Sequence, residues 1–450
     1  MNSVKQQISL SDVSQPLNQS LSNSLFDTIV VGSGPGGATV AKELSLRGQK
    51  VAVVEWGSDA PLEGKFLQMA GIAAIPGKGA FINSDLSLLM RGITAGGSST
   101  INFATAMAPP ADLFSKYGVD LSVEVAEVEQ ELPLTTLTDD LVGPLAKQIK
   151  SSALSMGLDW RNLQKFTYLD KCRAHCHRCA YGCPYDAKWN ARMYLDQAIE
   201  SGAKLFLKAK VSQVLTEKDR AVGIKFTQQG RVKQLRANNI VLAAGGIGTP
   251  RILAASGVAR AGKDYFTDPV IAVMGTVDGA DFDADKSDSE VPMAAGMHLP
   301  EQGIMLSDLA LPKPLFQLFS AQVGRFDRLH SHARTLSIMV KIRDDLGGNV
   351  GPKWLNKSLS ADDKSRFETG VDIAKNILRN ANAKSIFKSH HFAAHPGGSA
   401  KIGEVVDSDL QTNIPGLFVC DASVIPEPWG LPPTYTLLCL GKRLAKTIVR

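Results

Sequence analysis

Apolar residues fall into short, separated blocks along the chain. Ile29, Val30 and Val31 form one block, and the run Val-Ala-Val-Val at 51–54 forms another. Both are continuous and rich in β-branched side chains, the pattern of strands buried on both faces of a parallel sheet. A helix over about 36–47 is predicted between them. Further on, "NNIVLAAGG" (238–246) and "GLFVCDAS" (416–423) read as buried strands of the same kind. A helix over 188–200 is predicted to lead into a strand at 204–207. "PTYTLLCLGKRLAKTIVR" (433–450) reads as an amphipathic closing helix, with Pro433 near its start, where a missing N–H costs little. The acid-rich stretch 119–140 predicts a solvated helix and loop, and 360–380 a surface helix. "ALPKPLFQLFSAQVGRF" (310–326) is apolar and aromatic and reads as core packing, with an apolar substrate pocket lining or a membrane-surface contact as the alternatives. The acidic stretch 276–290 lacks the Gly and Glu spacing of an EF-hand and reads as a solvated loop.

Composition narrows the function classes. The chain has 450 residues, 44% hydrophobic and 21% charged, as a soluble protein of two or more domains would. A net charge of +5, spread evenly, gives no footprint for nucleic acid. The Ser-, Gln- and Asn-rich residues 1–24 read as a disordered tail with no secretion signal. No apolar run reaches the 18 residues or so of a membrane span. The expectation is a cytoplasmic protein, where clustered cysteines point to metal or redox work more than to disulfides.

Gly32, Gly34 and Gly37 follow the first strand as G-x-G-x-x-G. The first glycine permits a tight turn, the second lets the backbone approach a pyrophosphate, and the third lets helix and strand pack closely. The helix N-terminus then faces the phosphates. Glu55, eighteen residues past Gly37, ends the second strand, where a carboxylate can accept from ribose hydroxyls. Strand, glycines, helix, strand and acid in that order specify a dinucleotide, without separating FAD from NAD.

Four stretches in order, 26–57, "AGGSSTIN" (95–102), 238–250 and the C-terminal "HPGGSAKIG…CDAS…GLPPTYT", resemble the glucose–methanol–choline (GMC) flavoprotein oxidoreductases. The resemblance spans residues 26–448, although 265–385 carry no motif. It implies an α/β fold: a Rossmann-like FAD-binding domain (25–115, 200–265 and 395–450) with an α+β substrate domain built from insertions (116–199 and 266–394). It implies FAD held by Gly32, Gly34, Gly37, Glu55, Gly96, Gly97, Ser98, Asn102, Val211, Asp421 and Ala422. In relatives with covalent flavin a His precedes the loop Asn. Here that residue is Ile101, so the FAD is expected to be non-covalent.

His395 matches the family's active-site histidine, which would accept or orient the hydroxyl proton of an alcohol. The family's second polar residue, Asn or His, falls at Pro432, which has no side-chain donor or acceptor. Candidates for a substitute are His390, His391, Tyr435 and Lys188. His391 lies four residues before His395, on the same face of an extended segment, and is carried as a second catalytic candidate. Packing or surface roles for His390 and His391 weigh against it.

Cys172, Cys176, Cys179 and Cys183 are spaced C-x3-C-x2-C-x3-C-P. The end of that run matches a ferredoxin-type ligand pattern, though the first gap is one residue longer. Three readings stand open: a [4Fe–4S] or [3Fe–4S] cluster, thiols without metal, and zinc with or without His175 and His177. Long-chain-alcohol-oxidase-like GMC members also carry cysteines at this place. Cys420 and Cys439 read as buried small apolar residues. The expected activity is oxidation of a CH–OH group of a moderately apolar alcohol, with hydride transfer to flavin N5. Its electrons would pass through a cluster to a protein or quinone acceptor. The alternatives are an O2-using oxidase without a cluster, a flavin-dependent lyase or isomerase, and an inert electron-transfer subunit.

Overall fold

A computed structural model describes residues 25–278 and 290–450. The predicted tail at 1–24 and most of the acidic stretch 276–290 lie outside them.

The first apolar block is the strand Leu25–Val31, which lies parallel between Val51–Val54 and Arg231–Leu242. Lys204–Phe206 extends the sheet beyond Val51–Val54, and Leu417–Val419 pairs with Arg231–Leu242, both in parallel. Four separated stretches of sequence thus meet in one parallel layer. Arg231–Leu242 continues past this layer and pairs antiparallel with Arg220–Gln228, which pairs with Ala209–Glu217. The helix Pro35–Leu46 crosses from the first strand to the second, and the closing helix Thr434–Ile448 packs beside it.

A second sheet holds nine strands. Its centre is Val270–Thr276, Thr335–Ile342 and Ile304–Asp308, all antiparallel neighbours. Ala80–Ile82, Leu88–Met90 and Phe392–Ala393 close one edge. The helix Ala361–Asn380 covers this sheet, its start fixed by a capping box between Ser360 and Asp363. It is the surface helix expected over 360–380, with Phe367, Val371, Ala374 and Ile377 buried along its inner face.

Two local expectations change. The helix predicted over 188–200 is Arg192–Glu200. Its first four residues are held in extended and turn conformations, because Lys188 is drawn into a buried hydrogen-bond cluster. The helix Ser122–Glu131 is not simply solvated. Its Glu124 is buried and, with Glu127, takes Lys446 of the closing helix at 2.7 Å each. The segment thereby packs on the dinucleotide side of the molecule. Among the described residues no helix is long and apolar enough to cross a membrane.

Candidate active site

A cavity of about 1420 Å³ opens between the two sheets. That exceeds the roughly 300–1,000 Å³ of ordinary small-molecule pockets, and suits a dinucleotide together with a substrate. Gly32, Gly34, Glu55, Gly97, Ser98, Asn102, Val211, Asp421 and Ala422 all line it. Gly37 and Gly96 stand behind the lining. The glycines have the backbone geometry their spacing predicts. Gly32 has φ +98°, and a Cβ there would sit 2.3 Å from the Ala243 carbonyl oxygen. A Cβ on Gly37 would meet the Gly32 carbonyl oxygen at 2.2 Å, which is the close helix–strand contact. A Cβ on Gly34 would meet no protein atom within 4 Å, so it would project into the space a pyrophosphate needs.

The Glu55 carboxylate accepts from the Ser33 amide (3.1 Å), the Ser33 hydroxyl (2.7 Å) and the Gly57 amide (2.6 Å). Burial pushes its pKa up, against those hydrogen bonds. Asp421 accepts from the amides of Gly245 and Ser423 and the hydroxyls of Thr249 and Ser423. Its carboxylate thus holds the loops beside the cavity. Glycine cradle, helix N-terminus and buried acid fit the ADP half of FAD. Ile101 also lines the cavity and offers no atom for a covalent link.

His395 lies at the far end, half-buried and lining the cavity. Its backbone N–H donates to the Thr267 carbonyl (3.0 Å). Its Nδ1 is 3.1 Å from Lys341 Nζ and 3.3 Å from Asp268 Oδ2. Burial, reinforced by the Lys341 charge, lowers the His395 pKa against the pull of Asp268. This shift favours the neutral ring, the form that can accept a proton. Asp268 has φ +46° and is fully buried. Its Oδ1 accepts from the Gly430 amide, and its own amide donates to Asp344. Asp344 in turn pairs with Lys357 at 3.2 Å.

Of the candidates to replace the side chain missing at Pro432, none hydrogen-bonds to the His395 ring among the described residues, although His390 and His391 line the same cavity. His391 lines the cavity but pairs with Asp85 at 2.9 Å. The Tyr435 hydroxyl points to the Val125 carbonyl (3.4 Å). Lys188 donates to the carbonyls of Thr100, Asn102 and Cys179. Sequence reading missed Lys341 and Asp268. The one signal was a lysine at the end of the apolar run "TLSIMV", where every residue of the strand Thr335–Ile342 is buried.

The four cysteines are free and sit around the short turn Arg178–Tyr181, with Gly182 and Cys183 both at positive φ. Burial pushes the Cys172 thiol up to about 11, helped by the nearby Cys179, Cys176 and Cys183 and opposed by Lys165. The expectation of a ready-made metal site needs correction. Among the described residues, no three His, Cys, Asp or Glu side chains converge as ligands of one ion. The segment does adjoin the cavity, which Ala180 lines.

Two sequence models of the GMC oxidoreductase family match the chain, the N-terminal one over residues 26–272 and the C-terminal one over 332–441. The chain belongs to the GMC oxidoreductases. These are FAD enzymes, in keeping with the cradle described above. Among curated GMC relatives and their kin, an uncharacterised protein of Methanocaldococcus jannaschii is 26% identical, over 94% of this chain and 100% of its own. A long-chain-alcohol oxidase of Arabidopsis thaliana is 22% identical, over 94% of this chain and 68% of its own. Solved structures share the GMC fold. Pyridoxine 4-oxidase from Mesorbium loti superposes with a TM-score of 0.69 at 16% identity, covering 94% of this chain and 99% of its own. A formate oxidase variant from Aspergillus oryzae gives 0.71 at 14% identity, covering 94% and 98%.

Proposed function

We propose that this GMC oxidoreductase oxidises the CH–OH group of an apolar alcohol, with FAD bound non-covalently and His395 accepting the hydroxyl proton. One observation carries the reading. A single cavity joins the dinucleotide cradle, His395 and an apolar arm formed by Leu309, Leu311, Leu315, Leu318, Phe319 and Met339. The segment 310–326, read from sequence as core, does both jobs. Phe316 is buried in the core, while Leu315 and Leu318 face the cavity. The apolar arm would hold the hydrocarbon part of the substrate and exclude water from the reacting end. Bound FAD would accept the hydride from the carbinol carbon. His395 takes the hydroxyl proton, so the alcohol leaves as a carbonyl compound. The Arabidopsis relative's name, a long-chain-alcohol oxidase, agrees with such a substrate.

The test is anaerobic mixing of the holoenzyme with primary alcohols of increasing chain length. Loss of the oxidised flavin's visible colour, faster with longer chains, is expected. His395→Ala should slow that loss by roughly 10²–10⁴-fold. No bleaching by any alcohol would overturn the reading. Turnover of a substrate with no electron acceptor present would favour a lyase or isomerase.

A second reading concerns where the electrons go. Lys165 and Lys188 are each 1% exposed and lie beside the four thiols. Lys165 donates to the carbonyls of Pro292 and Met293 (2.7 and 3.2 Å). Burial lowers the pKa of both lysines, and what holds their charge is the thiols and, for Lys165, Asp308, so an anion at the thiols would stabilise both ammonium groups. Four thiolates holding an iron–sulfur cluster would be that anion. A polynuclear cluster also spreads its ligands more widely than one ion does. We infer a [4Fe–4S] or [3Fe–4S] cluster at Cys172, Cys176, Cys179 and Cys183, serving a protein or quinone acceptor in place of O2. Anaerobic purification with an iron and acid-labile sulfide assay tests it. Full flavin content without iron, and peroxide formed in air, would leave an O2-using oxidase.

A further inference from the structure

Pro432 removes the polar side chain that would share the substrate hydroxyl with His395. The residue that meets His395 instead comes from the middle of the second sheet. Lys341 is the seventh residue of a strand whose eight residues are all buried. Its side chain is 2% exposed, yet it lines the cavity and lies 3.1 Å from His395 Nδ1. The only carboxylate it pairs with among the described residues is Asp268, at 3.5 Å. An ammonium buried to this degree is costly without a function or a close counter-ion. Asp268 is shared, because the same Oδ2 faces His395 Nδ1. Lysine, histidine and aspartate thus form a closed triangle behind the cavity wall.

Two proton arrangements fit this triangle. With the proton on Lys341, the ammonium donates to Nδ1, and His395 must carry its own proton on Nε2, where it cannot act as a base. With Lys341 neutral, Nδ1–H donates to Asp268, and Nε2 presents a free lone pair. We propose that Lys341 is a positioning residue that sets the His395 tautomer and receives the Nδ1 proton when Nε2 takes one from the alcohol. Each step moves one proton. The alcohol proton goes to Nε2, the Nδ1 proton goes to Lys341 Nζ, and the resulting ammonium rests against Asp268. Burial lowers the Lys341 pKa, against the attraction of Asp268 and Asp344, which keeps a neutral amine within reach. The other charged groups around the triangle are Asp344, held by Lys357, and His298, whose pKa is lowered by burial and then by Lys341 and Arg343. None of them is bonded to His395.

The inference rests on His395 as proton acceptor, so its test reads His395 directly. In 15N-histidine-labelled holoenzyme, the His395 signal is the one lost in His395→Gln. Titration by NMR should place its pKa below the ordinary histidine value. Lys341→Met should raise that pKa by about one unit, since it leaves His395 as the only acceptor of a proton that Lys341 otherwise takes. Asp268→Asn should move it the opposite way. In turnover, Lys341→Met should lower kcat by roughly 10²-fold with little change in KM. Lys341→Arg keeps the charge but holds its proton, so it should not restore kcat. Unchanged His395 titration in Lys341→Met, shifts of the same sign in both variants, or full rescue by arginine would each overturn the proposal. Should Lys341→Met fail to fold, Asp268→Asn and Lys341→Arg still decide it. Should no alcohol be oxidised while the titrations shift as stated, the proposed substrate fails and the triangle stands.

Discussion

Lys188 Nζ lies 2.9 Å from the carbonyl oxygen of Cys179 and 2.9 Å from that of Asn102. One ammonium therefore clamps the cysteine segment to the loop that borders the cofactor cavity. A third bond, to the Thr100 carbonyl at 2.8 Å, completes its three donors. The two elements the sequence marks most strongly, a cysteine run and a Gly-Gly-Ser-Ser loop, are one mechanical unit.

Replacing Lys188 with Met keeps the length of the side chain and removes all three donors. Each buried acceptor left unpaired costs about 1–3 kcal/mol. The variant should melt several degrees lower and retain less flavin per protein after gel filtration. A Lys188→Met protein with unchanged Tm and flavin content would show that the clamp contributes nothing.

Gly34 and Gly37 separate cofactor binding from folding. Gly34 has φ −67° and ψ −178°, which any residue adopts, and its missing Cβ faces only the cavity. Gly34→Ala should fold with a Tm near that of the flavin-free parent yet bind FAD at least tenfold more weakly, by fluorescence titration of the apoprotein. Gly37→Ala must push on the Gly32 carbonyl, and overpacking of this kind costs about 1–3 kcal/mol. It should lose stability even without flavin. Equal effects from the two variants would contradict the cradle geometry.

Stability should fall between pH 4 and pH 7 through a buried acid. Burial pushes the Asp308 carboxyl up to about 7, opposed by the Ala295 amide, which donates to it at 2.6 Å, and by Lys165. The folded protein then holds a proton that the unfolded chain releases near its ordinary value of 3.8. Stability from this group is greatest at low pH and is lost as the pH rises through about 7. Among the described residues Asp308 Oδ2 has no hydrogen-bond partner, so Asp308→Asn leaves the Ala295 bond intact and avoids the buried charge. The asparagine variant should gain Tm relative to the parent at pH 8 and gain less at pH 5. A gain independent of pH would mean Asp308 does not titrate in this window.

The cradle was legible because every part of it is local. The apolar run at 29–31, the three glycines and Glu55 fall within thirty residues, and each has a backbone reason for its identity. His395 was singled out through its neighbours in the family motif, and it lines the cavity. Lys341 was not, because its meaning depends on a contact with Asp268 and His395 that only the second sheet creates. That sheet draws strands from residues 80–90, 161–162, 270–342 and 384–393, several of them two or three residues long. Such strands have no period to read, and their pairing is set by burial across large sequence separations. The start of the helix at Arg192 was missed for the same reason, since a long-range clamp on Lys188 overrides local helix preference.

Chain-length preference should be set where the apolar arm meets solvent. Leu318 lines the cavity and is 43% exposed, so its side chain is not needed for the core. An aspartate there places a charge in the path of the hydrocarbon without leaving a hole in the protein. Leu318→Asp should keep the parent's Tm within about 0.5 kcal/mol of stability, as surface changes do. For a long alcohol, kcat/KM should fall roughly tenfold, the equivalent of losing contact with about two methylenes at 0.8 kcal/mol each. For ethanol or propanol, which lack a long hydrocarbon to lie along the apolar arm, it should stay the same. Steady-state kinetics across a series of primary alcohols measures both. An equal fall for short and long substrates would place the hydrocarbon elsewhere in the cavity.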